Sequence, residues 1–332
     1  MRLNNLQLIN FRNYDNLHLN FKRNINLLVG KNGQGKTNIV EAIYMLSFGK
    51  SFRTNKDKEI IKFGSENLYI GGNYLKNSSK GLIEVAIGNN KKGIKVNKIH
   101  IHKIQELLGN LNVVIFSPED LKLVKDGPRE RRSFIDKEIS QIMPKYYNYL
   151  VNYNKILIQR NKTLKNRIVD ENLLSVYDES LANYGAYIYV LRRDFIKKIA
   201  KISNEMHKKL TGNNEELLIT YKNQINLTDE DTVKDAKLYG TQGQQRTASI
   251  SLKLSEIELI KQEVNDNPVL ILDDVFSELD ETRQKLLVEN LGDVQMFITS
   301  AELAHKRIFD ESETAIFYID KGKVTNIEDG GN

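Results

Sequence analysis

Residues 30–37 read GKNGQGKT, the register of a phosphate-binding Walker A loop that ends in Lys36 and Thr37. The apolar run 25–29 precedes it and a helical pattern at 38–43 follows, so the octapeptide lies at a strand-to-helix turn. Backbone N–H groups at such a turn favour phosphate, while Lys36 reaches the terminal phosphates and the Thr37 hydroxyl can bind Mg²⁺. The predicted ligand is a nucleoside triphosphate, and the candidate contacts are Gly30, Lys31, Asn32, Gly33, Gln34, Gly35, Lys36 and Thr37.

A second element far downstream ends in two carboxylates. Residues 269–272 are fully apolar and lead into Asp273 and Asp274. This pattern is typical of a buried parallel strand that presents ligands at its carboxyl end. Phosphoryl transfer needs a carboxylate to hold the metal and a group that orients the attacking water. We therefore assign Asp273 with Thr37 to Mg²⁺, and Asp274 with Lys36 to catalysis. We also expect Lys36 to point into a solvent-filled loop when no nucleotide is bound.

A second phosphate-binding helix start is predicted at Thr241, Gly243 and Gln244, which open a long amphipathic stretch ending near Val264. A single chain has no obvious use for two phosphate-binding helix starts. In a pair of chains, one start from each subunit could act on the same phosphate. The arrangement resembles the ABC-type ATPases, in which this signature segment closes over the triphosphate held by the partner subunit.

Within that class the chain is similar to the RecF family of bacterial DNA replication and repair proteins. This resemblance rests on further segments of the chain, which are residues 10–14, 51–54, 116–121, 130–136, 239–247 and 273–280. The resemblance implies an α/β fold: an ABC-type ATPase head, with a P-loop and a mixed sheet with helices, built from residues 1–117 and 239–332. A mainly helical second lobe with a shortened connector is inserted at 118–238.

The resemblance also implies a function. ATP and Mg²⁺ would close a head-to-tail homodimer, in which Lys36 and Thr37 face Thr241 and Gly243 of the partner subunit, and hydrolysis would reopen it. Such a weak, DNA-dependent ATPase would clamp duplex DNA next to single-strand gaps and, with RecO and RecR, help to load RecA. Two alternatives stay open: a short SMC-like chromosome-organising head, and the ATPase partner of a nuclease.

Composition narrows the class of protein. The chain has 332 residues, 40% of them apolar, which is ample for a buried core. It has no cysteine, so disulfides and thiolate metal sites are excluded. Its sequence shows neither a signal peptide nor a membrane span, which predicts a cytoplasmic protein without a membrane partner. The net charge of +6 is compatible with a nucleic-acid partner.

Several side chains allow both a functional and a structural interpretation. A tyrosine group at 146, 147, 149 and 153 could stack on unpaired bases, but its helical spacing favours core packing. The densest basic cluster could contact DNA phosphates or be a solvated helix face; it comprises Lys122, Lys125, Arg129, Arg131 and Arg132. We expect Glu41 to face solvent and His305 to be structural or on the surface.

The chain departs from the family pattern before the signature segment. Relatives carry there a strand-rich stretch with a Gly-Pro-His-Arg-Asp-Asp motif, whereas here a polar linker at 222–238 takes its place. A sheet edge would then be left unpaired or be covered by another part of the chain. This predicts that residues 241–245 are poorly positioned, so that ATP still binds but dimerisation is weak and hydrolysis is reduced.

Overall fold

The computed structural model describes residues 1–89, 91–120, 123–125, 127–166, 170–221, 241–301 and 308–329. The strands are Arg2–Leu3 (β1), Asn5–Phe11 (β2), Tyr14–Asn20 (β3), Ile25–Val29 (β4), Asn67–Lys76 (β5), Ser79–Gly88 (β6), Lys91–Val96 (β7), Ile99–His100 (β8), Val113–Phe116 (β9), Val269–Asp273 (β10), Met296–Ser300 (β11), Thr314–Asp320 (β12) and Lys323–Asp329 (β13). The helices are Lys36–Phe48 (α1), Pro128–Ile142 (α2), Pro144–Thr163 (α3), Glu171–Leu210 (α4), Gln242–Val264 (α5) and Glu281–Glu289 (α6).

A six-stranded sheet positions the candidate site. Its strand order is β13-β12-β4-β11-β10-β9, and all neighbours are parallel except the edge pair β12–β13. Strands β4, β9, β10 and β11 are buried at every position, as expected of short apolar runs covered on both faces. Because these strands are parallel, the loop after β4 and the carboxylates at the end of β10 lie at the same sheet edge, with the end of β11 between them.

The amino-terminal strands form a second, antiparallel sheet of seven strands. Helix α1 packs between the two sheets, and its buried residues join a core cluster to which both sheets contribute. Side chains from Ile39 to Phe48 are therefore buried almost all round the helix, as in a helix covered on more than one side.

Helices α2, α3 and α4 pack around a separate apolar cluster. Tyr146 lies fully buried there and donates a hydrogen bond of 2.5 Å to Asp136, so the core-packing interpretation of this tyrosine is confirmed. Helix α5 joins this cluster to the parallel sheet, because Leu259 belongs to it while Leu254 belongs to the cluster beneath the sheet. Among the described helices, none combines the length and the apolar character needed to cross a membrane.

Candidate functional site

The Walker A loop is held from two sides by neighbouring turns. From the β2–β3 turn, Asn13 Nδ2 donates to the carbonyl of Gln34 at 2.9 Å, and the Tyr14 hydroxyl donates to the carbonyl of Gly35 at 3.1 Å. From the β12–β13 turn, the N–H of Gly322 donates to the same Gln34 carbonyl at 2.9 Å. The loop conformation is therefore fixed by the protein itself.

Two glycines of the loop are required by close approach. Gly35 has a φ of 119°, and a Cβ atom there would lie 2.7 Å from the Asn13 side chain. A Cβ atom on Gly30 would lie 2.2 Å from the carbonyl oxygen of Ile319. Helix α1 starts directly after Gly35, and no described side chain caps this end. Its first N–H groups are therefore available to a phosphate.

Lys36 is folded back onto the loop. Its Nζ donates to the carbonyls of Gly30 at 2.6 Å and Lys31 at 3.1 Å, and the residue is only 4% exposed. Burial lowers the pKa of Lys36, while the carboxylates of Asp274 and Asp273 act in the opposite direction. The expectation that Lys36 points into solvent is wrong, because the loop carbonyls satisfy its ammonium.

Thr37 and Asp273 meet as the sequence predicts. The Thr37 hydroxyl donates to Asp273 Oδ1 at 3.0 Å, and the Thr299 hydroxyl donates to the same oxygen at 2.8 Å. Burial raises the pKa of Asp273, while the two hydroxyl hydrogen bonds lower it. A carboxylate and a hydroxyl are the hard oxygen donors that Mg²⁺ prefers, so this pair fits that cation. Sequence reasoning gave no role to Thr299; the signal was a hydroxyl at the end of the apolar run 296–298.

Asp274 has an unusual backbone conformation. Its φ is 52°, and its N–H donates to Thr299 Oγ1 at 2.9 Å. Its charge also acts on Lys36. A non-glycine residue in the left-handed region directly after Asp273 is the kind of local strain that accumulates at functional sites.

The signature segment begins α5 with a reciprocal capping box. The Thr241 hydroxyl accepts from the N–H of Gln244 at 3.2 Å, and Gln244 Oε1 accepts from the N–H of Thr241 at 2.9 Å. Gln244 Nε2 also donates to Glu215 at 3.0 Å. The cap holds the helix start locally, whereas the positioning of residues 241–245 against a partner subunit stays a prediction. The linker 222–238 itself lies outside the described residues.

The two phosphate-binding ends do not meet within one chain. A cavity of about 580 Å³ lies in front of the signature segment, and its lining includes Thr241, Gly243, Gln244, Asp280 and Arg283. Residues 30–37 contribute nothing to that lining. The predicted Walker A contacts and the signature segment therefore do not share this cavity within one chain.

Glu41 is buried, which corrects the expectation that it faces solvent. Its side chain is 0% exposed, and its two oxygens accept from Arg12 at 2.6 and 2.9 Å. Ser51 also donates to it, and Arg53 lies at 3.4 Å. The carboxylate thus ties α1 to the β2–β3 turn that supports the Walker A loop.

The arginines of the predicted basic cluster lie on α2 but differ in their surroundings. Arg129 and Arg132 are exposed and line a pocket distinct from both nucleotide half-sites, whereas Arg131 does not line it. Lys122 and His305 lie outside the described residues.

The family model and the most similar relatives indicate the same protein family. A model described as "RecF/RecN/SMC N terminal domain" matches residues 2–324. "DNA replication and repair protein RecF" of Clostridioides difficile is 64% identical, with all of both chains covered. The protein of the same name from Alkaliphilus oremlandii is 44% identical over 98% of this chain and 100% of its own length. The first alignment runs over 371 positions against the 332 residues of this chain, a difference of 39.

Solved structures agree with this result. The "recombination mediator protein RecF-ATP in RecFOR pathway" superposes with a TM-score of 0.88 at 34% identity, covering 98% of this chain and 99% of the other. An SMC head bound to the C-winged helix domain of ScpA gives a TM-score of 0.61 at 16% identity, covering 100% of this chain and 96% of the other, which supports the fold alone. The predicted fold class, an ABC-type α/β head with inserted helices, is confirmed.

Proposed function

This chain belongs to the RecF family of DNA replication and repair proteins, and from that premise we propose that it is an ATP-operated DNA clamp for recombinational repair and replication-fork maintenance. One observation carries the proposal. Thr37 and Asp273 converge at the Walker A loop, while the capped signature segment faces a separate cavity. Each half-site lacks what the other supplies, so a triphosphate bound between two subunits would complete both.

The chain's own residues suggest how the nucleotide is held and cleaved. Lys36 would leave the carbonyls of Gly30 and Lys31 and pair with the terminal phosphates, which relieves the cost of its burial. Thr37 and Asp273 would hold Mg²⁺, which supplies charge neutralisation on the phosphates. Thr299 keeps Asp273 oriented, and Asp274 would orient the attacking water and accept its proton.

Dimerisation would follow from the signature segment. Thr241, Gly243 and Gln244 would present the N-terminus of α5 to the terminal phosphate bound by the partner subunit, where a helix N-terminus favours negative charge. Hydrolysis would remove the shared phosphate and reopen the dimer. The family supports ATP hydrolysis in general; we further propose that hydrolysis is weak and stimulated by DNA.

The biological role follows from the family. We propose that the closed dimer holds duplex DNA next to single-strand gaps in the cytoplasm and acts with RecR and RecO, and through them on RecA. One solved relative is described as a recombination mediator of the RecFOR pathway. We also propose the division into a head, residues 1–117 and 239–332, and a helical lobe, residues 118–238.

Light scattering after gel filtration tests this proposal. The wild-type chain should form a dimer with ATP and Mg²⁺, more completely on gapped duplex than on plain duplex. Lys36→Ala should lose ATP binding and remain a monomer, because the charge that compensates the phosphates is gone. Lys80→Ala, an exposed lysine in β6, is the matched control and should behave as the wild type. Unchanged ATP affinity in Lys36→Ala would overturn the site assignment.

A further inference from the structure

A second pocket lies away from both nucleotide half-sites. It has a volume of about 860 Å³ and lies between the end of α1, the strand β7 and the helices α2, α3 and α4. Neither residues 30–37 nor residues 241–244 line it. Its volume is in the range of small-molecule sites, so a nucleotide unit can enter while a duplex cannot.

The pocket carries an excess of positive charge. Six cations line it, against one carboxylate, Asp136; they are Lys50, Lys92, Arg129, Arg132, Lys137 and Arg192. Three of the six are neutralised: Arg192 pairs with Asp136 at 2.8 Å, and Lys92 and Lys137 pair with carboxylates outside the lining.

The other three cations have no acidic partner within ion-pair distance in the part of the chain that the structure describes. They are Lys50, Arg129 and Arg132. Although Lys50 is solvent-exposed, the protein packed around it lowers its pKa by desolvation first and by repulsion from Lys137 second. An anion in this pocket would relieve that repulsion and satisfy two free guanidinium groups.

Tyrosines also contribute to the wall of the pocket. Tyr147, Tyr153, Tyr189 and Tyr221 line the pocket and are all half-buried. The rings of Tyr189 and Tyr221 lie 5.7 Å apart. Aromatic faces beside cations that can pair with a phosphate are the combination by which proteins bind unpaired nucleotides, because every base can stack on an aromatic ring.

We infer that this pocket binds an unpaired nucleotide of a single nucleic-acid strand, with its phosphate at Lys50, Arg129 and Arg132 and its base against the tyrosines. The inference rests on the proposed DNA-binding function and deepens it. A duplex keeps its bases stacked and cannot fill the pocket, whereas the single strand beside a gap can. The pocket therefore gives the clamp a way to distinguish a gap from plain duplex.

Photocrosslinking of the full chain locates the bound base directly. A 12-nucleotide single strand carrying 5-iodouracil should crosslink to Tyr147, Tyr153, Tyr189 or Tyr221, as read by mass spectrometry. Crosslinks confined to residues outside the pocket, or none, while duplex DNA still binds, would overturn the inference and leave the proposed function intact. Absence of all DNA binding would overturn both.

Affinity measurements supply an independent test. The double variant Arg129→Gln/Arg132→Gln should weaken single-strand binding about tenfold and reduce the slope of log K against log salt by about 0.7, because the contact to one phosphate is lost. The affinity of the same variant for duplex DNA should fall by no more than about twofold. Arg193→Gln, an exposed arginine of α4 outside the pocket, is the matched control and should change neither. Equal losses for both DNA forms would contradict the inference. So would tight binding of free thymidine monophosphate with no binding of the strand, which would make the ligand a free nucleotide.

Discussion

Removal of Arg12 should destabilise the protein more than removal of its partner Glu41. The side chain of Glu41 is 0% exposed, whereas that of Arg12 is 18% exposed and that of Arg53 is 44% exposed. Arg12→Ala leaves a carboxylate inside the protein with only Ser51 and the 3.4 Å contact to Arg53, which should cost about 3–5 kcal/mol. Glu41→Ala instead leaves two guanidinium groups that water can reach, so we expect about 2–3 kcal/mol.

The double variant distinguishes destabilisation by an unpaired buried charge from a simple sum of lost contacts. Once Glu41 is gone, Arg12 has no buried charge to satisfy, so Arg12→Ala/Glu41→Ala should be about as stable as Glu41→Ala alone. The single losses then fail to add by about 3–5 kcal/mol, the whole loss of Arg12→Ala. Arg53→Ala is the control, and its exposed position should limit the loss to about 1 kcal/mol.

Thermal unfolding in the absence of nucleotide measures these differences. For a chain of 332 residues, about 1.5 °C corresponds to 1 kcal/mol. Arg12→Ala should therefore lower Tm by about 4–7 °C, and adding Glu41→Ala should restore about 2 °C. Additive losses of stability would refute the reasoning that the unpaired buried carboxylate causes most of the destabilisation. A Glu41→Ala variant less stable than Arg12→Ala would refute it as well.

Three further predictions concern the nucleotide half-sites. Asp274→Asn should bind ATP normally but hydrolyse it far more slowly and accumulate as a dimer, because an amide cannot accept a proton from water; normal turnover in an ATPase assay would contradict the assigned role. Burial raises the pKa of Asp273, so its charge destabilises the ligand-free protein increasingly as pH rises through that raised pKa. Asp273→Asn should therefore melt above the wild type at pH 7, by a margin that shrinks toward pH 4, and should gain nothing from Mg²⁺ with ATP; a lower Tm at pH 7 would show that the charge is already compensated. Glu215→Ala removes the acceptor of Gln244 Nε2 and should weaken ATP-dependent dimerisation several-fold without changing ATP affinity; an unchanged dimer, measured by light scattering, would show that the capping box alone positions the segment.

The contiguous motifs could be predicted from the sequence because their geometry is local. The Walker A loop needs only its own glycines, a preceding strand and a following helix. The pairing of Thr37 with Asp273 could also be predicted, since parallel strands bring their carboxyl ends to one edge. Thr299 was missed, because the sequence does not show that β11 lies between β4 and β10.

Long-range contacts explain the misassigned residues. Glu41 is buried because both sheets cover α1 and Arg12 reaches it from 29 positions away, and the local sequence shows neither contact. The sequence signals the helical periodicity around Tyr146 but cannot show which of Arg129, Arg131 and Arg132 face a pocket. The predicted weakness of dimerisation stays a prediction, in line with an alignment that runs over 39 more positions than this chain has residues.

The central claim is that the signature segment of one subunit closes on the triphosphate of another, and a glycine-to-alanine substitution tests it most directly. A Cβ atom on Gly243 would approach no atom of the described residues closer than 3.4 Å, so Gly243→Ala should fold and bind ATP as the wild type does. Gly93→Ala is the matched control, because a Cβ atom there meets nothing within 4 Å among the residues that the structure describes.

Dimer formation should be measured by light scattering against ATP concentration for the wild type and both variants. The account predicts that the wild type and Gly93→Ala dimerise with ATP and Mg²⁺, whereas Gly243→Ala binds ATP but stays monomeric, because the added methyl group blocks the approach of the phosphate bound by the partner subunit. A Gly243→Ala variant that dimerises as readily as the wild type would contradict the claim.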